Sequence, residues 1–202
     1  MSQMLRVLFP VFPLLFAILT HGLGHLIAAR MVGVRMPRLT RTPTGFRLIA
    51  AGGFPSYEVE LYCALGGPLA NMVASLLCRG VLFFYPLATG LLVPAITVSL
   101  YLGLFNLLPI SGFDGARILH CLLCCRHRHL SSLSPTKADR LISVISSTLL
   151  LLFWLIALYL LLRRGSALSL YLFCLQLFQS TVTDDAPTQK QEFGRIRENT
   201  EA

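Results

Sequence analysis

The chain has 202 residues, a length for one domain, of which 55% are hydrophobic and only 13% charged. Soluble domains carry about a quarter charged residues, so this composition excludes an ordinary water-soluble globule. The formal net charge is +8, and its placement decides whether it serves a polyanionic ligand or a membrane.

In chain order, the first uncharged apolar run is Val7 to Ala29. It is longer than the apolar core of a signal peptide, and basic residues rather than a small-residue cleavage site follow it, so a retained span is expected. Residues 32–60 are rich in Pro and Gly with short apolar stretches. That pattern predicts strands and turns, with Thr44-Gly45 turning a hairpin whose second arm is Phe46–Ala51. Further runs at 61–84, 87–110 and 141–162 each exceed the roughly 20 residues that cross a hydrocarbon core, and Arg79 in the first of these could snorkel to an interface. The 167–178 segment is short for a crossing. The expected fold is therefore an all-α polytopic membrane protein of four to five transmembrane helices with a small membrane-associated hairpin after the first. Residues 1–180 form the transmembrane domain in this reading, and the polar, mixed-charge tail 181–202 is disordered.

Arg30, Arg35, Arg38, Arg41 and Arg47 follow the first span, and Arg126, Arg128, Lys137 and Arg140 lie between the third and fourth. Basic loops stay in the cytoplasm. Placing both segments inside and the uncharged Tyr85–Gly90 turn outside lets the first four spans alternate, although Arg163 and Arg164 then fit less well. The positive-inside pattern accounts for the charge, so no nucleic-acid partner is expected. Six cysteines lie in spans or beside a predicted cytoplasmic loop, where a disulfide framework is not expected.

Two features carry chemistry. His21 and His25, in the stretch H-G-L-G-H, stand at i and i+4 on one helical face and can both present imidazole nitrogens to one ion. Taken alone, such a pair equally suits interhelical hydrogen bonds. The second feature is Asn106–Gly115, N-L-L-P-I-S-G-F-D-G. An ionised Asp114 deep in a membrane would cost about 2.5–3.5 kcal/mol on insertion scales, a cost that a bound cation offsets. Two imidazoles and a carboxylate would leave a fourth zinc position open, as in catalytic sites.

H-G-L-G-H, then A-L-G-G-P-L-A-N at Ala64–Asn71, then F-N-L-L-P-I-S-G-F-D-G resemble, in that order, the site-2 protease family of intramembrane zinc metalloproteases. The chain is most similar to the short bacterial branch that includes sporulation sigma-factor processing enzymes, over about Val7 to Ile118. The resemblance implies that His21, His25 and Asp114 are zinc ligands and that Asn106 and Pro109 shape the substrate site. It also implies that segment 32–60 is the membrane-associated hairpin that pairs with an unwound substrate strand. The substrate would be a membrane-tethered protein, and the location a bacterial cell membrane.

The departure is Gly22, which stands where the family pattern H-E-x-x-H has its general base. Loss of such a base costs about 10²–10⁴-fold in rate. Glu58 and Glu60, the only acids between the first span and Asp114, could substitute only if their loop folded over the zinc. Gly24, and Gly22 with it, could instead serve close helix packing. Three functions stay open: an impaired metalloprotease; a pseudoprotease that binds a membrane segment; and a metal-handling protein using the Cys121, Cys124 and Cys125 cluster of H-C-L-L-C-C-R-H-R-H. The simplest expectation for that last stretch is a short helix ending in a membrane-apposed segment, with Arg117 just before it as a headgroup contact.

Overall fold

A computed structural model describes residues 3–34, 37–42, 45–50, 54–125, 134–164, 171–172 and 174–177. Helix α1 spans Gln3–Met31, followed by strands β1 (Pro37–Thr42) and β2 (Gly45–Ala50). Then come α2 (Tyr57–Phe84), a single 3₁₀ turn at Pro86–Ala88, α3 (Thr89–Asn106), α4 (Asp114–Cys124) and α5 (Pro135–Arg164). Four segments are long and apolar enough to cross a membrane: Val11–Met31, Tyr57–Phe84, Pro86–Asn106 and Pro135–Arg163. Of the expected fifth segment, Tyr171, Leu172 and residues 174–177 are helical, and the rest lies outside the described residues, as does the tail 181–202.

The hairpin forms where the Pro and Gly content predicts it, antiparallel, with Thr42 opposite Gly45 and Pro37 opposite Ala50. Its second arm starts at Gly45, one residue earlier than expected, and residue 44 itself lies outside the described residues. The loop is also shorter than 32–60, because α2 begins at Tyr57. Ser56 has extended backbone and its hydroxyl accepts from the Val59 N–H at 3.3 Å, a helix N-cap. Glu58 and Glu60 in the first turn favour the positive end of the helix.

The apolar run 87–110 is not one helix to its end. Pro109 disfavours helical backbone at Leu108, and α3 stops at Asn106. Gly112 has φ +95°, a left-handed conformation that glycine adopts without strain. The chain therefore turns through 107–113, and Asp114 opens a separate helix instead of ending the third span.

Helices α1 and α2 approach at backbone distance. A Cβ on Gly24 would collide with the Gly66 carbonyl and Ala70, and a Cβ on Gly66 would lie 2.6 Å from the Gly24 oxygen and 2.7 Å from the Ala28 methyl. Small residues at such crossings let van der Waals contact and helix backbones do what water-driven burial does elsewhere. Gly103 brings α3 equally close to α2, where a Cβ would stand 3.2 Å from that of Asn71 and 3.3 Å from the Pro68 oxygen. Helix α5 is pinned to the 107–113 turn by Ser146, whose Oγ donates to the Pro109 carbonyl at 3.1 Å and accepts from the Ser111 N–H at 2.9 Å. The outer face of α1 presents Leu15, Ile18, Leu19, Leu23 and Ile27, all about half exposed, which suits contact with lipid.

Candidate metal centre

The inner face of α1 carries Ala17, His21, Gly24 and His25 at helical spacing, turned toward α2 and α4. The turn at 107–113 brings Asp114 back to that face, 93 positions along the chain from His21. Asp114 Oδ2 lies 3.0 Å from His21 Nε2 and 3.2 Å from His25 Nε2, and the two Nε2 atoms are 3.1 Å apart. Among the described residues this is the one group of three such donors whose ligand atoms converge. A tetrahedral ion with bonds of 2.0–2.2 Å sets its ligands about 3.3 Å apart, so the triangle observed is close to one face of that tetrahedron. Two nitrogens and one carboxylate oxygen are also donors that zinc accepts.

The charge state suits the same purpose. Burial alone would push the Asp114 carboxyl up, but its contacts with His21 and His25 outweigh it and hold the group well below the usual carboxylate range. Asp114 is 8% exposed, so an ionised carboxylate here depends on its two imidazole neighbours.

Each histidine is backed on its other nitrogen. His25 Nδ1 lies 2.8 Å from the Cys63 carbonyl, which can only accept. That fixes the proton on Nδ1 and leaves Nε2 free to ligate. His21 Nδ1 lies 3.3 Å from the Asn71 side-chain amide, and Asn71 also meets the Thr20 hydroxyl at 2.7 Å. Gly67 closes the centre from α2: a Cβ there would strike His25 Nε2 and stand 2.8 Å from His21 Cε1. The sequence reading gave no role to Asn71, Gly67, Thr20 or Cys63, although Gly67 and Asn71 lie in the A-L-G-G-P-L-A-N stretch that carried the resemblance.

Gly22 and Gly24 differ. Gly24 is held by packing, as expected, but a Cβ on Gly22 meets nothing within 4 Å. Packing therefore does not explain Gly22. Glu60 does not turn toward the histidines either. It is buried on α2 and accepts from Arg117 Nε at 3.2 Å and Nη2 at 3.1 Å. Arg117 is accordingly not a headgroup contact: its guanidinium is committed to Glu60 and stacks 5.5 Å from the centre of the Phe54 ring. Asn106 closes α3 with its amide donating to the Leu102 carbonyl at 2.9 Å, and Pro109 meets Ser146 as described above.

The 120–129 stretch divides. His120 is buried on α4 and bonds Asp139 on α5 at 3.1 Å, with Cys124 Sγ 3.8 Å away. Burial alone would lower this imidazole, but the contacts with Asp139 and Cys124 raise it to about 9. That imidazole is thus already engaged between α4 and α5. Burial also pushes the Cys121 and Cys125 thiols up, away from the thiolate a metal requires. His127 and His129 lie outside the described residues.

Comparison with known proteins agrees with the centre. No family model matches the chain. A zinc metalloprotease of Methanocaldococcus jannaschii is 30% identical over 151 residues, covering 73% of this chain and 43% of that protein. Rip3 of Mycobacterium tuberculosis, also named as a zinc metalloprotease, is 28% identical over 143 residues, 65% of this chain and 36% of its own length. The chain thus spans less than half the length of these relatives. In fold it matches the solved site-2 protease of Methanocaldococcus jannaschii with a TM-score of 0.63 at 23% identity, over 86% of this chain and 76% of that one. The comparisons lead to one conclusion: in sequence the chain resembles zinc metalloproteases, and its multi-pass membrane fold, with the histidine pair and aspartate converged, is that of a site-2 protease.

Proposed function

We propose that this protein is a site-2-type zinc centre within the membrane, acting on a membrane-tethered protein, whose peptide-bond hydrolysis is severely slowed by Gly22. The observation that carries the proposal is the convergence of His21, His25 and Asp114 to within 3.2 Å of one another. Zinc held there supplies a Lewis acid that polarises a peptide carbonyl and lowers the pKa of a coordinated water. The chain's own contribution is to hold three ligands and fix the His25 tautomer through Cys63. A general base is missing at position 22, since glycine cannot take a proton from water or return one to a leaving amine. Asn106 and Pro109 shape the approach to the centre, a reading supported by their position at the turn that delivers Asp114. Among the described residues the β1–β2 hairpin has two unpaired edges, either of which could take an unwound substrate as an added strand.

A second reading has the protein bind a membrane segment without cutting it, and the same Gly22 supports it. Gly22→Glu separates the two. The open space at this position admits a side chain, so the variant is expected to fold. As an enzyme it should hydrolyse a membrane-tethered reporter about 10²–10⁴-fold faster than the parent, and Asp114→Ala should abolish the gain. An inert Gly22→Glu protein that still binds zinc would establish the non-catalytic reading.

A further inference from the structure

Asn71 is fully buried at the meeting of three helices. Its side chain reaches Thr20 and His21 on α1, its backbone carbonyl accepts from the Ser75 hydroxyl at 2.8 Å, and its Cβ faces Gly103 of α3. A buried amide needs all of its hydrogen bonds, and here two of its partners are known by chemistry. A histidine that ligates a metal through Nε2 must carry its proton on Nδ1. Facing that N–H, the amide has to present its oxygen. The structure places the amide oxygen at the Thr20 hydroxyl, 2.7 Å away, and the nitrogen toward His21; with the two exchanged, the nitrogen faces Thr20, whose Oγ1 accepts from it while its own proton goes to the Phe16 carbonyl at 2.9 Å. The His21 Nδ1 proton, the Thr20 proton and one amide N–H then each have an acceptor. In the opposite orientation the nitrogen, 3.3 Å from His21 Nδ1, would force that atom to accept and place the imidazole proton on Nε2, where the metal belongs. Asparagine oxygen and nitrogen are set by the surrounding hydrogen bonds rather than by shape.

We propose that Asn71 is a positioning residue of the metal centre: its side-chain oxygen accepts the His21 Nδ1 proton and so presents Nε2 to the metal, as the Cys63 carbonyl does for His25. Thr20 completes the arrangement by holding the amide nitrogen. This rests on the zinc reading above and adds to it the device that selects the His21 tautomer. The two histidines would be backed from the same helix, by a main-chain oxygen two turns before the side-chain oxygen.

Substitutions that keep or remove the acceptor test the proposal. Zinc affinity of the purified full chain would be measured in detergent by competition with a chromophoric chelator, alongside Asn71→Leu and Asn71→Asp. Asn71→Leu, similar in volume but without an acceptor, should weaken zinc binding about 10- to 100-fold, the usual effect of losing an outer-shell partner. Asn71→Asp keeps an oxygen toward Nδ1 and should bind zinc at least as tightly as the parent. Should Asn71→Leu fail to fold, Asn71→Ala, which also lacks the acceptor, takes its place, and Asn71→Asp, nearly the same shape, separates the acceptor role from a donor role, which predicts loss there. Parent-like affinity in Asn71→Leu, or weakened binding in Asn71→Asp, would overturn the role of Asn71. A parent chain that binds no zinc would overturn the metal-centre reading, and this role with it.

Discussion

Single atoms decide what this centre can hold and what it cannot do. The three donors that converge were named from H-G-L-G-H and from one aspartate in an apolar context, with the resemblance deciding between a metal site and hydrogen bonds that the spacing left open. What stayed hidden was the backing, because a glycine and an asparagine on another helix announce no partner. Gly67 makes the point sharply. Its Cα lies where both imidazoles need room, so Gly67→Ala inserts a methyl against the ligands themselves. Overpacking of this kind costs about 1–3 kcal/mol. Borne by the imidazoles, that corresponds to zinc affinity about 10- to 100-fold weaker, readable by chelator competition. Gly22→Ala, placed in open space, should leave the affinity unchanged.

The helices were found by hydropathy, but their ends were set by details that hydropathy averages away. Pro109 and Gly112 cut α3 from α4, and Ser56 drew Tyr57–Glu60 into α2. That second effect places Glu60 one turn before Cys63, while Arg117 stands one turn after Asp114. Their ion pair therefore joins α2 to α4 close to both sides of the metal centre. It is 5% exposed at the Glu60 side chain and 15% at Arg117, so solvent screens it little. Removing one partner of such a pair leaves a buried charge and costs about 3–5 kcal/mol, whereas replacing both is far milder. Arg117→Met should accordingly lower the thermal unfolding midpoint in detergent more than the double variant Glu60→Gln with Arg117→Met. Equal losses in the two would mean that the pair contributes through packing alone.

Across the whole molecule, a metal at this centre ties α1 to α4 and, through Cys63 and Asn71, to α2. A ligand that binds only the folded form stabilises it by about 2.7 kcal/mol at a hundred times its dissociation constant. Chelation should therefore lower the unfolding midpoint of the parent, and hardly move that of Asp114→Ala. Unchanged melting on chelation in both proteins would show that the helix contacts hold the bundle without help. The long-range order of the fold follows from small residues, Gly24 against Gly66 and Gly103 against Asn71. A sequence displays such residues one by one without saying which ones meet.

The separation of 93 positions between His21 and Asp114 has a consequence in time. The two histidines leave the ribosome early, and the aspartate only after the third span has been made. Until the 107–113 turn closes, α1 offers an ion two ligands in place of three. As the zinc site proposed above, the centre would load tightly only in chains whose insertion has run past α3.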